Sequence, residues 1–245
     1  MKYSKRMGQH FLSEDILRKE VEFAHLSKKD VVLEIGAGDG RLTELLMEKA
    51  GKVIAIEKDA KLIEVLEAKL SGNVKLICAD AMKIDFPKFN KIVSNIPYYL
   101  SSPLTFKFFS YKWDEAIITY QKEFAQRFFA KPCDKNYSRL TVAVNYFCTP
   151  EKLMTVPKSK FTPHPKVDSI MVRFTLKKNL VIDDFFLHIT SKLFQHKRKL
   201  VRSALKNAKF SKKQIDKIPE HLQEKRVVCC SMNELKQIAE TLKQL

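Results

Sequence analysis

Val31-Val32-Leu33-Glu34-Ile35-Gly36-Ala37-Gly38-Asp39-Gly40 decides the fold. A β-branched apolar run that ends in Gly reads as a buried strand running into a tight turn. Leu42, Leu45 and Leu46 then recur at helical spacing, so the turn should open a helix over 41–49. The same alternation continues outward. Val53–Glu57, Val74–Cys78, Ile92–Asn95 and Glu115–Tyr120 read as further strands, with Leu62, Val65, Leu66 and Leu70 marking an intervening helix. A helix through Phe124, Phe128 and Phe129 follows, and Thr141–Phe147 and Ser169–Thr175 read as two late strands. Strands alternating with helices predict an α/β fold with a parallel sheet. The two late strands lack a helical pattern between them and should form an antiparallel edge pair.

The pattern changes after Leu176. Phe185, Phe186, Ile189, Leu193, Leu200, Val201 and Leu205 repeat at helical spacing, and Val227–Cys230 is the one short strand-like run. Ser231 with Glu234 three residues on is a capping box for a last helix. We therefore expect two domains, 1–176 and 177–245, the second small and helical. At 245 residues with 45% apolar content, the chain can bury a sizeable core and is not of the disordered class. Six Gly and nine Pro exclude collagen-like composition. No apolar run approaches a membrane span, and the basic start Met1–His10 has no apolar segment behind it, so neither membrane nor signal peptide is expected. Cys78, Cys133, Cys148, Cys229 and Cys230 are odd in number and form no C-x-x-C pair. A disulfide framework and a metal site are not expected, and the cytoplasm is the expected compartment.

The charge points to a partner. There are 45 Lys and Arg against 28 Asp and Glu, a net +17. Residues 177–245 carry 16 basic and 7 acidic side chains, and no acid occurs from Phe185 to Ile215. A solvated helix face mixes signs, whereas a single-sign run suits a phosphate backbone. Nucleic acid is the expected partner, with Lys197, Arg198, Lys199 and Arg202 as leading contacts.

The turns after successive strands carry the chemistry. The Gly36-Ala37-Gly38-Asp39-Gly40 spacing is G-x-G-x-G, which lets backbone approach a ligand but departs from the dinucleotide fingerprint. Glu57, 21 residues after Gly36, ends the second strand, where a carboxylate can accept from a ribose diol. Asp80 follows the third strand and can receive an adenine amine. All three positions fall at the carboxyl ends of the strands and so line one crevice. They indicate an adenosine-containing cofactor without a pyrophosphate, best satisfied by S-adenosyl-L-methionine (SAM). Asn95-Ile96-Pro97-Tyr98 follows the fourth strand. The lone pair of an adenine amine is delocalised into the ring, so the amine is a poor nucleophile until acceptors reorient it. The Asn95 side-chain oxygen and the Ile96 carbonyl can serve as acceptors, Pro97 stiffens the turn, and Tyr98 offers a face for stacking.

These motifs, with Gly8-Gln9-His10-Phe11-Leu12 before them and Phe161-Thr162-Pro163-His164-Pro165-Lys166-Val167-Asp168-Ser169 after, resemble the KsgA/Dim family of ribosomal RNA adenine dimethyltransferases over nearly the whole chain. The resemblance implies a Rossmann-like SAM-dependent methyltransferase domain with a mostly parallel seven-stranded sheet, plus a small C-terminal helical domain that binds rRNA. It implies dimethylation of two adjacent adenines in a hairpin loop near the 3′ end of small-subunit rRNA, within a pre-ribosomal small subunit, by a monomer. Gln9, His10 and Leu12 would then lie at the cofactor, Gly36 and Gly38 under its methionine end, Glu57 at the ribose and Asp80 at the adenine. Asn95 would sit between cofactor and target, and Tyr98 and Phe161 would sandwich the flipped adenine. Tyr99 stands where bacterial members often carry Asn, which leans toward the archaeal or eukaryotic branch. Two other readings compete: a catalytically inactive assembly factor of the same fold, and an Erm-type enzyme of large-subunit rRNA. The intact Asn95–Tyr98 and Glu57 oppose the first, and Gly8–Leu12, Ser101-Ser102-Pro103-Leu104 and Phe161–Pro165 oppose the second. A DNA adenine methyltransferase is more distant, since its motif usually begins with Asp.

Overall fold

The structure, a computed structural model, describes residues 10–178 and 180–243. Two compact units make up the chain: 1–125 with 149–176, and 126–148 with 177–245. The chain passes from the first unit to the second after residue 125, returns after 148 and passes again after 176.

The first unit is the α/β one. Its elements are β1 (Phe11–Leu12), α1 (Glu14–Phe23), β2 (Val31–Ile35), α2 (Arg41–Lys49), β3 (Lys52–Glu57), α3 (Ala60–Lys69) and β4 (Val74–Cys78). They continue with β5 (Lys91–Ser94), α4 (Ser101–Phe108), β6 (Glu115–Gln121), α5 (Lys122–Ala125), β7 (Cys148–Val156, which starts on the boundary), β8 (Phe161–Thr162) and β9 (Ser169–Leu176). Seven strands form one sheet in the order β4-β3-β2-β5-β6-β9-β7. The five from β4 to β6 run parallel, and β9 lies antiparallel to β6 from Glu115↔Thr175 to Gln121↔Ser169. Val32, Leu33, Val53, Ile54, Ile92, Val93 and Ile117 are almost fully buried, as a parallel sheet covered on both faces requires.

The order reverses between β2 and β5: the chain winds from β2 outward to β4, then returns to β5. Pairing of β2 with β5 reaches Leu33↔Ile92. Beyond it the buried Ser94 hydroxyl accepts from the Ile35 N–H (3.2 Å) and donates to the Ile35 carbonyl (2.7 Å). A side chain thus closes the ladder where the two strands release their loops, and a crevice opens at the switch point. A second sheet of two strands pairs β1 with β8 in the register Phe11↔Thr162 and Leu12↔Phe161.

The second unit holds α6 (Arg139–Phe147), α7 (Asp184–Phe194), α8 (Val201–Asn207), α9 (Lys212–Ile215), α10 (Glu220–Gln223) and α11 (Met232–Lys243). Here the structure corrects several expectations. Thr141–Phe147 is not a strand but most of α6. Ser138 and Thr141 cap its start reciprocally, and seven of its nine residues are buried. Burial all round erases the helical stripe, so β-branched and aromatic residues alone suggested a strand. The edge strand comes directly afterwards as β7. Val227–Cys229 is a 3-10 turn rather than a strand, and the helix through Phe124 breaks into a 3-10 turn over Gln126–Phe129. Cys133 and Cys229, 96 residues apart, form a disulfide, against the expectation of none. Cysteine count and local spacing carry no signal for a pair so distant in sequence. The capping box at α11 is present: the Ser231 N–H donates to Glu234 (2.8 Å) and the Glu234 N–H to Ser231 (3.3 Å).

Two carboxyls of the first unit are almost completely enclosed. Glu20 of α1 is 0% exposed and accepts from the Thr119 hydroxyl at 3.1 Å, while its other oxygen has no hydrogen-bond partner among the described residues. Glu34 of β2 is 1% exposed and accepts from Thr43 at 2.7 Å. Burial pushes each from 4.5 up to about 8. Between those values the folded chain keeps protons that the unfolded chain releases, so folding stability falls as pH rises from about 4.5 to about 8 and levels off above. Glu20→Gln should flatten that decline by up to about 1.4 kcal/mol per pH unit. Denaturant unfolding at a series of pH values checks this, and a mutant that keeps the wild-type slope would count against a protonated Glu20.

Candidate active site

The crevice collects the loops that follow β2, β3, β4 and β5, with β1 laid across them. Gly36 and Gly38 have φ of +81° and +58°. A Cβ on Gly36 would stand 3.3 Å from Pro97 Cδ, and one on Gly38 would stand 3.0 Å from Phe11 Cε1. Each glycine therefore serves both a left-handed turn and a close approach. The Gly36 N–H is tied to the Ile56 carbonyl at 2.7 Å, so β3 fixes the start of the loop.

Glu57 is buried and grips three backbone amides. One carboxylate oxygen accepts from Lys58 (2.8 Å) and Asp59 (3.0 Å), and the other from Gly38 (3.0 Å). It orders the loops that flank it, while a carboxylate with about four lone-pair directions keeps capacity for a donor from the crevice. Asp80 accepts from the Met82 N–H at 3.0 Å and pairs with Lys58 at 3.0 Å. The Lys58 ammonium, then the Met82 amide, hold its carboxyl below the usual range. Sequence reasoning missed Lys58, because a Lys after a strand-end Glu resembles any surface lysine.

Asn95 leaves β5 with its amide already oriented. Its Nδ2 donates to the His10 carbonyl at 3.1 Å, and no hydrogen bond among the described residues engages its Oδ1. The Ile96 side chain is buried, which sets the backbone of the turn. Tyr98 is fixed at both ends: its hydroxyl lies 2.9 Å from Ser169 Oγ, and the His10 ring stacks on it with centroids 5.5 Å apart and 29° between planes. Burial raises the Tyr98 hydroxyl to about 12, so it stays protonated at neutral pH. His10 is held in turn by the Pro163 carbonyl, 2.7 Å from Nδ1.

The structure brings together His10, Leu12, Gly36, Gly38, Glu57, Asp80 and Asn95–Tyr98 around one cavity. Gln9 lies outside the described residues. Phe161 does not reach the cavity, and the expected sandwich is corrected. Its ring is 0% exposed and meets Tyr98 edge-on, 6.4 Å away at 65°. Pairing with Leu12 turns the side chain into the core, where both belong to one apolar cluster. The ring stacked on Tyr98 is His10. Two further lining residues were visible in the sequence without an assigned role, Phe11 against Gly38 and Tyr99 at the mouth.

The four basic candidates lie in the other unit, on the turn between α7 and α8 and within α8. Lys197 donates to the carbonyls of Lys135 (3.1 Å) and Tyr137 (3.0 Å), and Arg202 pairs with Glu224. Arg198 and Lys199 are exposed, and no side-chain bond among the described residues takes them. Among the described residues no cluster of three or more His, Cys, Asp or Glu could hold a metal ion, and no helix is long and apolar enough to cross a membrane.

A family model described as ribosomal RNA adenine dimethylase matches residues 1–244. The chain belongs to this family. Proteins named probable ribosomal RNA small subunit methyltransferase A from Thermococcus onnurineus and Pyrococcus furiosus are each 43% identical to it, with 97% of this chain and 91% of theirs covered. Among solved structures, a dimethyladenosine transferase from Plasmodium falciparum aligns with a TM-score of 0.85 at 33% identity, over 96% of this chain and 98% of that one. The 23S rRNA methyltransferase ErmE aligns with a TM-score of 0.72 at 25% identity, over 96% and 100%. Membership makes the chain a SAM-dependent methyltransferase, and the residues present fit that cofactor. Gly36 and Gly38 line the cavity, and a carboxylate ends β3 at Glu57 while another follows β4 by two residues at Asp80.

Gly38→Ala tests the loop directly. The positive φ and the 3.0 Å approach to Phe11 should cost more than about 1 kcal/mol of stability. Thermal and denaturant unfolding of wild type and mutant measure it, and equal stability would show that the loop relaxes freely.

Proposed function

We propose that this chain transfers methyl groups to the exocyclic amines of two adjacent adenines near the 3′ end of small-subunit rRNA, with Asn95–Tyr98 presenting the amine and the helical unit gripping the RNA backbone. The observation that carries the residue assignment is the Asn95 amide. Its N–H₂ side is committed to His10, which leaves Oδ1 as an acceptor in a cavity walled by the glycine loop, Glu57 and Asp80.

The chemistry demands little else. SAM, when bound, supplies an electrophilic methyl group. Oδ1 of Asn95 and the carbonyl of Ile96 accept from the adenine amine, turning its lone pair out of the ring. Pro97, packed on Gly36, keeps that turn rigid, and Tyr98, clamped between Ser169 and His10, carries the flipped base. Glu57 and Asp80 hold the cofactor's ribose and adenine, and His10 and Leu12 close its side. Once methylated, the amine is a strong acid and loses its proton to water, so no general base is required. The rate enhancement comes from positioning and fixed dipoles. A free acceptor at Asn95 supports an active enzyme over an inactive assembly factor. The substrate within a pre-ribosomal small subunit, the monomeric state and a cytoplasmic location belong to the same reading.

Asn95→Ala should lower methyl transfer at least about 100-fold while rRNA binding holds, because removal of one fixed polar group at the reacting centre costs on that order. Labelled SAM and small subunits lacking the modification, with the labelled nucleotides mapped, read both the activity and its target. Wild-type label on large-subunit rRNA, or undiminished transfer by the mutant, would overturn the assignment.

In the helical unit the expected phosphate contacts narrow to Arg198 and Lys199. Each phosphate neutralised contributes about 0.7–0.9 to the log–log salt slope. Arg198→Gln with Lys199→Gln should flatten the slope by about 1.5 and leave SAM affinity unchanged. Lys197→Gln should instead lower stability through the loop at Lys135 and Tyr137. Parallel slopes for the double mutant would place the footprint elsewhere.

A further inference from the structure

Tyr99 is a tyrosine at the mouth of the cavity with 60% of its surface exposed. It sits in the 3-10 turn Tyr98–Leu100, between the Pro97 carbonyl that accepts from Leu100 (2.9 Å) and the first residue of α4. A turn with three residues per revolution sends successive side chains about 120° apart. Tyr98 is anchored inward on Ser169, so Tyr99 is presented outward from the same rigid turn. No hydrogen bond or ring contact among the described residues engages its side chain. Lys58, its side chain 56% exposed, lines the same cavity.

We propose that Tyr99 is a second base-binding position, a platform on which the nucleotide adjoining the target adenine stacks, with Lys58, released from Asp80 when an adenine amine takes that carboxylate, offered to the intervening phosphate. The inference rests on reading the cavity as the adenine site and deepens it. When one base is flipped into a pocket, its chain neighbour is left at the entrance with both faces unstacked. An exposed aromatic ring beside a flexible cation is the combination that single-stranded nucleic acid takes up, the ring for the base and the ammonium for the backbone. Stacking needs only a π-face, so the position selects an unpaired strand and accepts any base. It thereby favours a loop over a duplex as substrate. The other occupant the location allows is the cofactor's adenosine, because Asp80 is bound to the same Lys58.

The test uses the full chain and three variants, Tyr99→Ala, Tyr99→Phe and Tyr99→Trp. Three quantities are measured: SAM affinity by calorimetry, KM and kcat on unmodified small subunits, and quenching of 2-aminopurine placed beside the target adenine in an unpaired RNA oligonucleotide. Tyr99→Ala should raise KM for the subunit about tenfold, with a smaller change in kcat, and abolish most of the quenching. Phe and Trp should restore both, and SAM affinity should stay within about twofold of wild type. A fall in SAM affinity with Ala would show that the ring covers the cofactor, and unchanged quenching would show that it touches no base; either result overturns the proposal. If wild type methylates no subunit, the reading of the activity fails on its own, and the quenching experiment still decides whether Tyr99 stacks a base.

Discussion

The site depends on two residue pairs, Phe11↔Thr162 and Leu12↔Phe161, which join segments 150 residues apart in sequence. Two rungs make a weak ladder by themselves. This one holds because Leu12 and Phe161 point into the core of the sheet unit, so burial of two large side chains supports the pairing. With β1 held there, three separate contacts fall into place. Phe11 reaches Gly38, the His10 carbonyl reaches Asn95, and the His10 ring covers Tyr98. The glycine loop, the Asn95–Tyr98 turn and the ring stacked on Tyr98 are thus set by one strand that belongs to none of them.

The same arrangement shows why Glu57 cannot be read as a ligand group alone. Three amides, at Gly38, Lys58 and Asp59, converge on it. A buried carboxylate is tolerable only when so satisfied. The backbone thereby fixes the position of its side chain in the wall of the cavity. Glu20 differs: with one hydroxyl donor and no cation bonded to it among the described residues, burial raises its carboxyl to about 8. Two buried glutamates in one unit thus sit among very different sets of donors.

The parallel strands and the loops after them were legible in the sequence, because a strand followed by glycine and then a helical stripe leaves a local signature. The positions of Gly36, Gly38, Glu57, Asp80 and Asn95 at one crevice follow from that signature and the topology of a parallel sheet. Local pattern failed where burial was complete. Helix α6 lost its stripe and read as a strand. The direction of Phe161 is a register property, since in a strand one residue's shift exchanges the faces, and no motif states the register. The Cys133–Cys229 bond, the Lys58–Asp80 pair and the stacking of His10 on Tyr98 join separate parts of the chain and have no local trace.

The net charge of +17 also divides once the structure assigns its members. A chain with six glycines has few left-handed caps with which to end its helices. Helix α2 ends without one, at Ala50 in extended conformation, and the Lys28 ammonium covers the carbonyls of Glu48 (2.9 Å) and Ala50 (3.2 Å) instead. A cation at that end also opposes the helix dipole. Lys91 donates to Ala24 O at 2.6 Å, Lys107 to Ala81 O at 2.7 Å, and Lys197 to two carbonyls of its loop. These lysines solve a backbone problem, as loose carbonyls inside a packed unit would otherwise lack donors. Counting basic residues along the chain therefore overstates the surface offered to a polyanion. Arg198 and Lys199, on a turn between two helices and tied to no carboxylate among the described residues, are the kind of cation that a phosphate can recruit without first breaking a bond the fold needs.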